Sequence, residues 1–185
     1  MKILVAGLVL FIGIHLLPSF AGLRRTLVQR LGEIPYKGLF ALPALLGLAL
    51  IVIGKRQAEI IPVWTPPAWG QPIAFLGMPL VFILLVAAYL PGNIKRYTRH
   101  PMLWGVVLWS LCHLLVSGDL ASMSIFLSLG VFALLDMASA NRRGAALEQT
   151  RKPYFYDIII ISLGIVAYIA VLLIHPATSP LLITG

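Results

Sequence analysis

Apolar residues dominate six stretches of the chain, each close to twenty residues long, and short polar segments separate them. A helix of about twenty apolar residues spans the roughly 30 Å hydrocarbon core of a bilayer. The pattern therefore predicts an all-α, polytopic membrane protein. Its six transmembrane helices are predicted at residues 3–20, 36–54, 71–90, 102–117, 120–138 and 156–175.

The overall composition supports a single transmembrane domain over residues 1–185. Hydrophobic residues make up 60% of the chain and charged residues 11%, compared with about 45–50% and about 25% in soluble domains. The N-terminal apolar run lacks a convincing cleavage site, so we expect it to remain as the first helix. The net charge of +8 resides in short loops. This distribution is typical of membrane topology signals, and it excludes a nucleic-acid-binding function.

Basic residues in the loops predict the orientation of the helices. If consecutive helices alternate in direction, only Lys2, Lys55 and Arg56 fall on one side of the membrane, and all other cations fall on the opposite side. Loops rich in lysine and arginine stay in the cytoplasm. We therefore expect a multi-pass protein with both termini facing outward, which in a bacterial inner membrane means the periplasm. The predicted cytoplasmic cations are Arg24, Arg25, Arg30, Lys37, Lys95, Arg96, Arg99, Arg142, Arg143, Arg151 and Lys152.

One segment of the chain occurs twice. Residues 7–20 (GLVLFIGIHLLPSF) align with residues 105–118 (GVVLWSLCHLLVSG) at seven identical positions of fourteen. Each copy places one histidine, His15 or His113, inside an apolar run, where an ionisable group is costly and suggests a function. The two predicted helices are three spans apart and should cross the membrane in opposite directions. This relation is the one expected in an inverted 3+3 repeat.

Within each copy, a glycine, an aromatic residue and the histidine follow one another at intervals of four residues. Such spacing keeps the three side chains on one helix face, where a small residue and a flat ring would suit a planar macrocycle. Imidazole is a common axial ligand of haem iron, so the pattern predicts a shared cofactor site near mid-membrane that would suit such a macrocycle, with both histidines as metal ligands. In the alternative interpretation, each histidine simply bonds a neighbouring helix. The residues are Gly7, Phe11 and His15, and Gly105, Trp109 and His113.

A basic segment precedes the fourth predicted helix and ends in Arg99, His100 and Pro101. Proline suits the first position of a helix. His100 lies about 140° around the helix from His113, so the two do not share a face. Arg99 and His100 suit an anionic group at the interface, such as a haem propionate, a phospholipid headgroup or a nucleotide-like cofactor. A plain cytoplasmic anchor is the alternative. Because Cys112 is the only cysteine, no intrachain disulfide is possible.

Several stretches of the chain resemble the NnrU family of bacterial membrane proteins. They are GLVLFIGIHLLPSF, YKGLFALPALLGLALIVIG, RHPMLWGVVLWSLCHLL, and SGDLAS with the later DMASANRR. The family is associated by name with nitric oxide and nitrite reduction in denitrifying bacteria. It is also similar to the plant zeta-carotene isomerase, a membrane enzyme that uses haem b to isomerise a cis double bond. The resemblance implies a haem b whose iron is bound by His15 and His113, and, if the protein is an enzyme, a haem-dependent isomerase or redox enzyme.

Two other functions remain open from the sequence. The Arg99–Pro101 step also resembles membrane methyltransferases that use S-adenosylmethionine. Those enzymes need acidic residues after the motif, and Glu148 is the nearest candidate. The second is a non-enzymatic role as an accessory factor of a respiratory oxidoreductase. The expected partners are the lipid bilayer and either a hydrophobic polyene or a redox protein.

Overall fold

The structure, a computed structural model, describes residues 1–178 and the side chains of residues 1–175. In this range the chain forms eight α-helices and a 3-10 helix at Leu17–Ser19, and no strand beyond an isolated bridge between Pro62 and Asp119. The predicted all-α class is confirmed, while the end of the predicted domain at residue 185 lies outside the described residues. The helices are α1 (Lys2–Leu16), α2 (Ala21–Leu31), α3 (Glu33–Arg56), α4 (Gly70–Tyr89), α5 (Ile94–Tyr97), α6 (Pro101–Leu114), α7 (Leu120–Arg142) and α8 (Tyr154–Thr178).

Five segments within residues 1–178 are long and apolar enough to cross a membrane, so the chain is a multi-pass membrane protein. The apolar helix α6 has only 14 residues, about 21 Å at 1.5 Å per residue, which is shorter than the hydrocarbon core. The predicted count of six spans is therefore not confirmed. The five segments are Lys2–Ser19, Glu33–Arg56, Gly70–Tyr89, Leu120–Arg142 and Tyr154–His175.

Neighbouring helices pack in the order α3, α1, α7, α6, α4, α8. Leu4 at the start of α1 lies against Gly54 at the end of α3, so these two helices are antiparallel. Ser19, just after α1, donates a hydrogen bond to Asp136 near the end of α7 at 3.2 Å. Helices α1 and α7 therefore run in the same direction, and α6 runs opposite to both. The repeat predicts these opposed directions for α1 and α6, although an inverted repeat of whole halves is not confirmed.

Glycines bring α1 and α3 to backbone contact. A Cβ added at Gly54 would lie 2.4 Å from the backbone nitrogen of Leu4, and one added at Gly7 would lie 2.6 Å from the backbone nitrogen of Ile51. Neither position has room for a side chain. Small residues allow this close approach between membrane helices, where van der Waals packing replaces the hydrophobic effect as the driving force. The two helices thus form a tight pair that depends on glycine.

The turn between α6 and α7 is held by the segment that follows α3. Asp119 caps α7 by accepting a hydrogen bond from the backbone N–H of Ser122 at 2.9 Å. Lys55 donates to the same carboxylate at 2.7 Å. The backbone N–H of Val63 donates to the carbonyl of Gly118 at 2.7 Å. These bonds connect the end of α3 to the start of α7.

A buried asparagine holds the opposite end of the bundle. The backbone N–H and the side-chain amide of Asn93 donate to the carboxylate of Asp157 at 2.7 Å and 2.6 Å. The same amide donates to the carbonyl of Lys152 at 2.9 Å. This network fixes the start of α8 against the connection between α4 and α6.

The basic segment after α1 forms a helix that the sequence pattern did not reveal. Helix α2 has 11 residues and no buried side chain, and it ends at Gly32, whose φ is 87°. Leu23 and Leu31 are half exposed and alternate with arginines, a short amphipathic pattern that is easily mistaken for a loop. The next helix begins at Glu33, three residues before the predicted start of its span.

Candidate functional site

His15 lies in the last turn of α1, among aromatic rings from three helices. Its Nδ1–H donates to the carbonyl oxygen of Phe11 at 2.7 Å. Its ring centroid lies 4.1 Å from that of Phe11, 5.1 Å from that of Phe40 on α3 and 6.1 Å from that of Phe132 on α7. A proton on Nδ1 leaves Nε2 as the acceptor nitrogen of a neutral imidazole. No group among the described residues bonds this Nε2.

His113 repeats this arrangement in the last turn of α6. Its Nδ1–H donates to the carbonyl oxygen of Trp109 at 2.9 Å. Its ring centroid lies 4.9 Å from that of Trp109 and 4.6 Å from that of Phe126 on α7. The predicted interval of four residues thus has a direct structural meaning in both copies, because the aromatic residue supplies both a ring and the carbonyl that orients the imidazole.

The two histidines lie on different sides of α7. Phe132, the neighbour of His15, and Phe126, the neighbour of His113, are six residues apart, about 9 Å along the helix axis and about 120° around it. Within the described residues, no ring contact joins His15 to His113. One iron bound by both imidazoles would bring their ring nitrogens within about 4 Å, since metal–nitrogen bonds are about 2 Å long. The structure does not hold the two rings in that position.

The two glycines of the repeat face neighbouring helices. Gly7 lies against the backbone of α3 at Ile51, and a Cβ at Gly105 would lie 3.3 Å from the side chain of Leu85 on α4. Gly7 therefore lets α1 pack closely against α3, and Gly105 lets α6 pack closely against α4. Phe11 and Trp109 instead pack against the same apolar cluster, which includes Ile125 of α7.

Each imidazole alone has the chemistry of an axial haem ligand. Metal-bound histidines commonly donate their second ring N–H to a carbonyl or carboxylate, which fixes the tautomer and the ring orientation. Both His15 and His113 do so through a backbone carbonyl. No group of three or more histidine, cysteine, aspartate or glutamate side chains that could hold a bare metal ion occurs in the described part of the chain. The site therefore fits single imidazole ligation of a macrocycle.

Arg99 and His100 lie at the start of α6, far from His113 at its other end. Both donate to the side-chain oxygen of Asn141 on α7, at 3.3 Å and 3.0 Å. They line a separate cavity of about 650 Å³, together with Glu148. The structure therefore does not bring them to either histidine of the repeat.

Three phenylalanines around the histidines escape prediction from the sequence, and so does one tyrosine. Phe40 follows Tyr36 by four residues, so both share the α3 face that packs on α1. Tyr36 is only 7% exposed, and its hydroxyl has no hydrogen-bond partner among the described residues. The spacing of four in YKGLF is a signal that could have identified this pair. Phe126 and Phe132 carry no such signal, because a phenylalanine in an apolar helix can face either lipid or a neighbouring helix.

The sequence model of a family described as NnrU protein matches residues 3–180. No curated protein and no solved structure matches the chain.

Proposed function

The chain belongs to the NnrU family, and from that premise we propose that it is a haem b-binding membrane protein in which one of the two imidazoles, His15 or His113, is the firm ligand of the iron. One observation carries this proposal. In both copies of the repeat, the imidazole is oriented by the carbonyl of the aromatic residue four positions earlier, with Nε2 left as an acceptor in apolar surroundings.

The simplest alternative is that the histidines link neighbouring helices. A polar side chain that holds two membrane helices together forms a hydrogen bond across the interface between them. His15 and His113 instead bond carbonyls of their own helices, and such bonds contribute nothing to the association of α1 or α6 with another helix. Their conformation therefore supports a role toward a ligand.

Bound haem would supply a redox-active iron that can bind a nitrogen oxide or polarise a double bond. Because the two imidazoles lie on different sides of α7, one of them would hold the iron firmly, and the iron would remain accessible to an exchangeable ligand. Either a nitrogen-oxide activity or a cis–trans isomerisation of a hydrophobic polyene requires such access. The aromatic rings around His15 and His113 would exclude water from the surroundings of each imidazole.

The same proposal includes the membrane topology. We place the short helix α6 as a sixth span, extended by residues 115–117, with both termini in the periplasm of a bacterial inner membrane. The cationic residues around α2, α5 and the segment between α7 and α8 support a cytoplasmic location for those loops. Labelling of single cysteines in spheroplasts tests this. A cysteine at residue 28 should be protected from an impermeant maleimide and one at residue 61 should be labelled, in a Cys112→Ser background.

The absorption spectrum of the purified protein tests the haem proposal. Wild-type protein from haem-replete cells should show a Soret band and the α and β bands of haem b after reduction. His15→Ala or His113→Ala should shift the bands or abolish haem retention, and the double variant should be colourless. His100→Ala is the matched control, because His100 lies in the separate cavity, and it should keep the wild-type spectrum. A colourless wild-type protein would defeat the proposal.

The methyltransferase interpretation has one structural point in its favour. Glu148 lines the same cavity as Arg99 and His100, as an acidic residue that follows the motif should. However, that cavity has no phenylalanine, tyrosine or tryptophan among its lining residues to stack on an adenine ring. Calorimetric titration with S-adenosylmethionine distinguishes the two functions, and we expect no binding. An accessory role would instead give a colourless protein whose deletion lowers the activity of a partner oxidoreductase.

A further inference from the structure

The cavity that contains Arg99 and His100 is a site in its own right. Its volume is about 650 Å³, within the range of about 300–1,000 Å³ typical of small-molecule sites. The end of α4, the first turn of α6, α7 at Asp136 and the segment 146–149 form its walls. These elements come together where the apolar helices end, so the cavity lies at the level of the membrane interface.

Three basic side chains line one part of the cavity: Lys95, Arg99 and His100. Arg99 and His100 are both oriented by Asn141, as described above. Lys95 is half-buried, and its positive charge acts on the carboxylate of Glu148 across the cavity wall. Its backbone carbonyl accepts a hydrogen bond from the N–H of Glu148 at 3.1 Å, which ties the segment 146–149 to this wall. The cations of Lys95 and Arg99 on this wall favour an anionic group in the ligand.

Two carboxylates line the cavity as well. Asp136 accepts from Ser19 and lies 3.8 Å from Arg143. Glu148 accepts from the backbone N–H of Thr150 at 3.0 Å through one oxygen. Bonds from Thr150 hold the pKa of Glu148 below its usual range, so it is ionised at neutral pH. The cavity is thus lined by two cationic side chains, Lys95 and Arg99, and by two carboxylates, Asp136 and Glu148.

The remaining lining is apolar. Met102 and Leu103 of α6 and Leu147 of the connecting segment contact the cavity. The first turn of α6 also presents backbone N–H groups that no side chain caps, which adds to the attraction for an anion. A ligand for this cavity thus combines an anion, a cation and an apolar part.

We propose that this cavity binds a zwitterionic phospholipid with a primary ammonium headgroup, as in phosphatidylethanolamine. Lys95 and Arg99 hold the phosphate. Asp136 and Glu148 accept hydrogen bonds from the ammonium, and the glycerol and upper acyl carbons lie on Met102 and Leu103. A purely anionic lipid would leave the two carboxylates facing a negative headgroup, and a choline headgroup has no N–H to donate.

Lipid titration of the delipidated full-length protein tests this proposal, with bound lipid counted by native mass spectrometry. Phosphatidylethanolamine should bind at least about tenfold more tightly than phosphatidylglycerol or phosphatidylcholine of the same chains, the difference expected for one charge-assisted hydrogen bond. Lys95→Gln should weaken this binding about tenfold. Arg96→Gln is the matched control, because it removes the adjacent cation, which does not line the cavity, and it should leave binding unchanged.

Further measurements distinguish binding of the lipid headgroup from binding of other ligands. Glu148→Gln should reduce the preference for phosphatidylethanolamine over phosphatidylglycerol without reducing phosphate binding, which a structural effect alone would not do. Competition by inorganic phosphate as effective as that by the lipid would assign a free anion and overturn the proposal. Equal binding of all three lipids, or selective binding of S-adenosylmethionine, would also overturn it. Haem content enters none of these readouts, so the two proposals can fail independently.

Discussion

Gly54→Ala should separate the tight pair of helices formed by α1 and α3. The added Cβ would lie 2.4 Å from the backbone nitrogen of Leu4 and 2.6 Å from its Cα. Neither atom belongs to a flexible side chain, so the two helices must move apart. Carbon atoms in ordinary contact are about 3.5–4.0 Å apart, so the local displacement is about 1 Å.

The magnitude follows from this displacement. A gap of 0.5–1 Å forfeits about a quarter to a half of each contact's attraction, and overpacking a closely packed site costs about 1–3 kcal/mol. We expect a loss of about 2 kcal/mol in the free energy of unfolding. The melting temperature should fall by about 4–8 °C, as expected for a chain of this size.

Gly13→Ala provides the matched control. Gly13 belongs to the same helix pair, but nothing lies within 4 Å of an added Cβ. Alanine in a helix interior is favoured over glycine by about 0.5–1 kcal/mol, so this variant should equal or exceed the wild type in stability. Reversible unfolding in mixed micelles, followed by circular dichroism, gives both values. If Gly54→Ala is as stable as Gly13→Ala, the backbone contact between α1 and α3 does not stabilise the bundle.

Two further predictions concern the ends of the bundle. Asn93→Ala removes the hydrogen bonds of the buried amide to Asp157 and Lys152, and it should lower the free energy of unfolding by about 2–3 kcal/mol. Asn93→Asp also removes the amide donor, so a variant with this change that is as stable as the wild type would contradict the role of the amide. Partial burial raises the pKa of Asp119, but hydrogen bonds from Lys55 and Ser122 outweigh it and hold that pKa below its usual range. Because the folded pKa is depressed, the stabilisation is complete above the unfolded value of about 3.9 and is lost as the pH falls through the folded pKa. Thermal melts at a series of acidic pH values should therefore show a fall that Asp119→Asn removes, and an identical fall in that variant would exclude this pair as the cause.

The long apolar helices could be predicted from the sequence because a membrane span has a length and a composition that few other structures share. Their ends were less predictable. Helix α6 ends at Leu114, before the predicted boundary at 117, because the chain turns there toward Asp119. Helix α2 was missed because its arginines resemble a loop rich in positive charge.

The contacts that each histidine makes within its own helix could also be predicted from the sequence. An interval of four residues places a side chain over the carbonyl one turn earlier, which is where Nδ1 of both His15 and His113 bonds. The roles of Gly7 and Gly105 could not be predicted from the sequence, since a glycine on an apolar helix allows close packing equally well against any neighbouring helix. The separation of the two histidines by α7 depends on tertiary packing, and no spacing within the repeat encodes it.

The haem content of the wild-type protein tests the central claim most directly. The protein should be purified from haem-replete cells in mild detergent, and its haem should be quantified by the pyridine haemochrome spectrum alongside total iron. The account predicts haem b and iron in equal amounts, close to one of each per chain. A pure, monodisperse protein that contains neither would contradict the account.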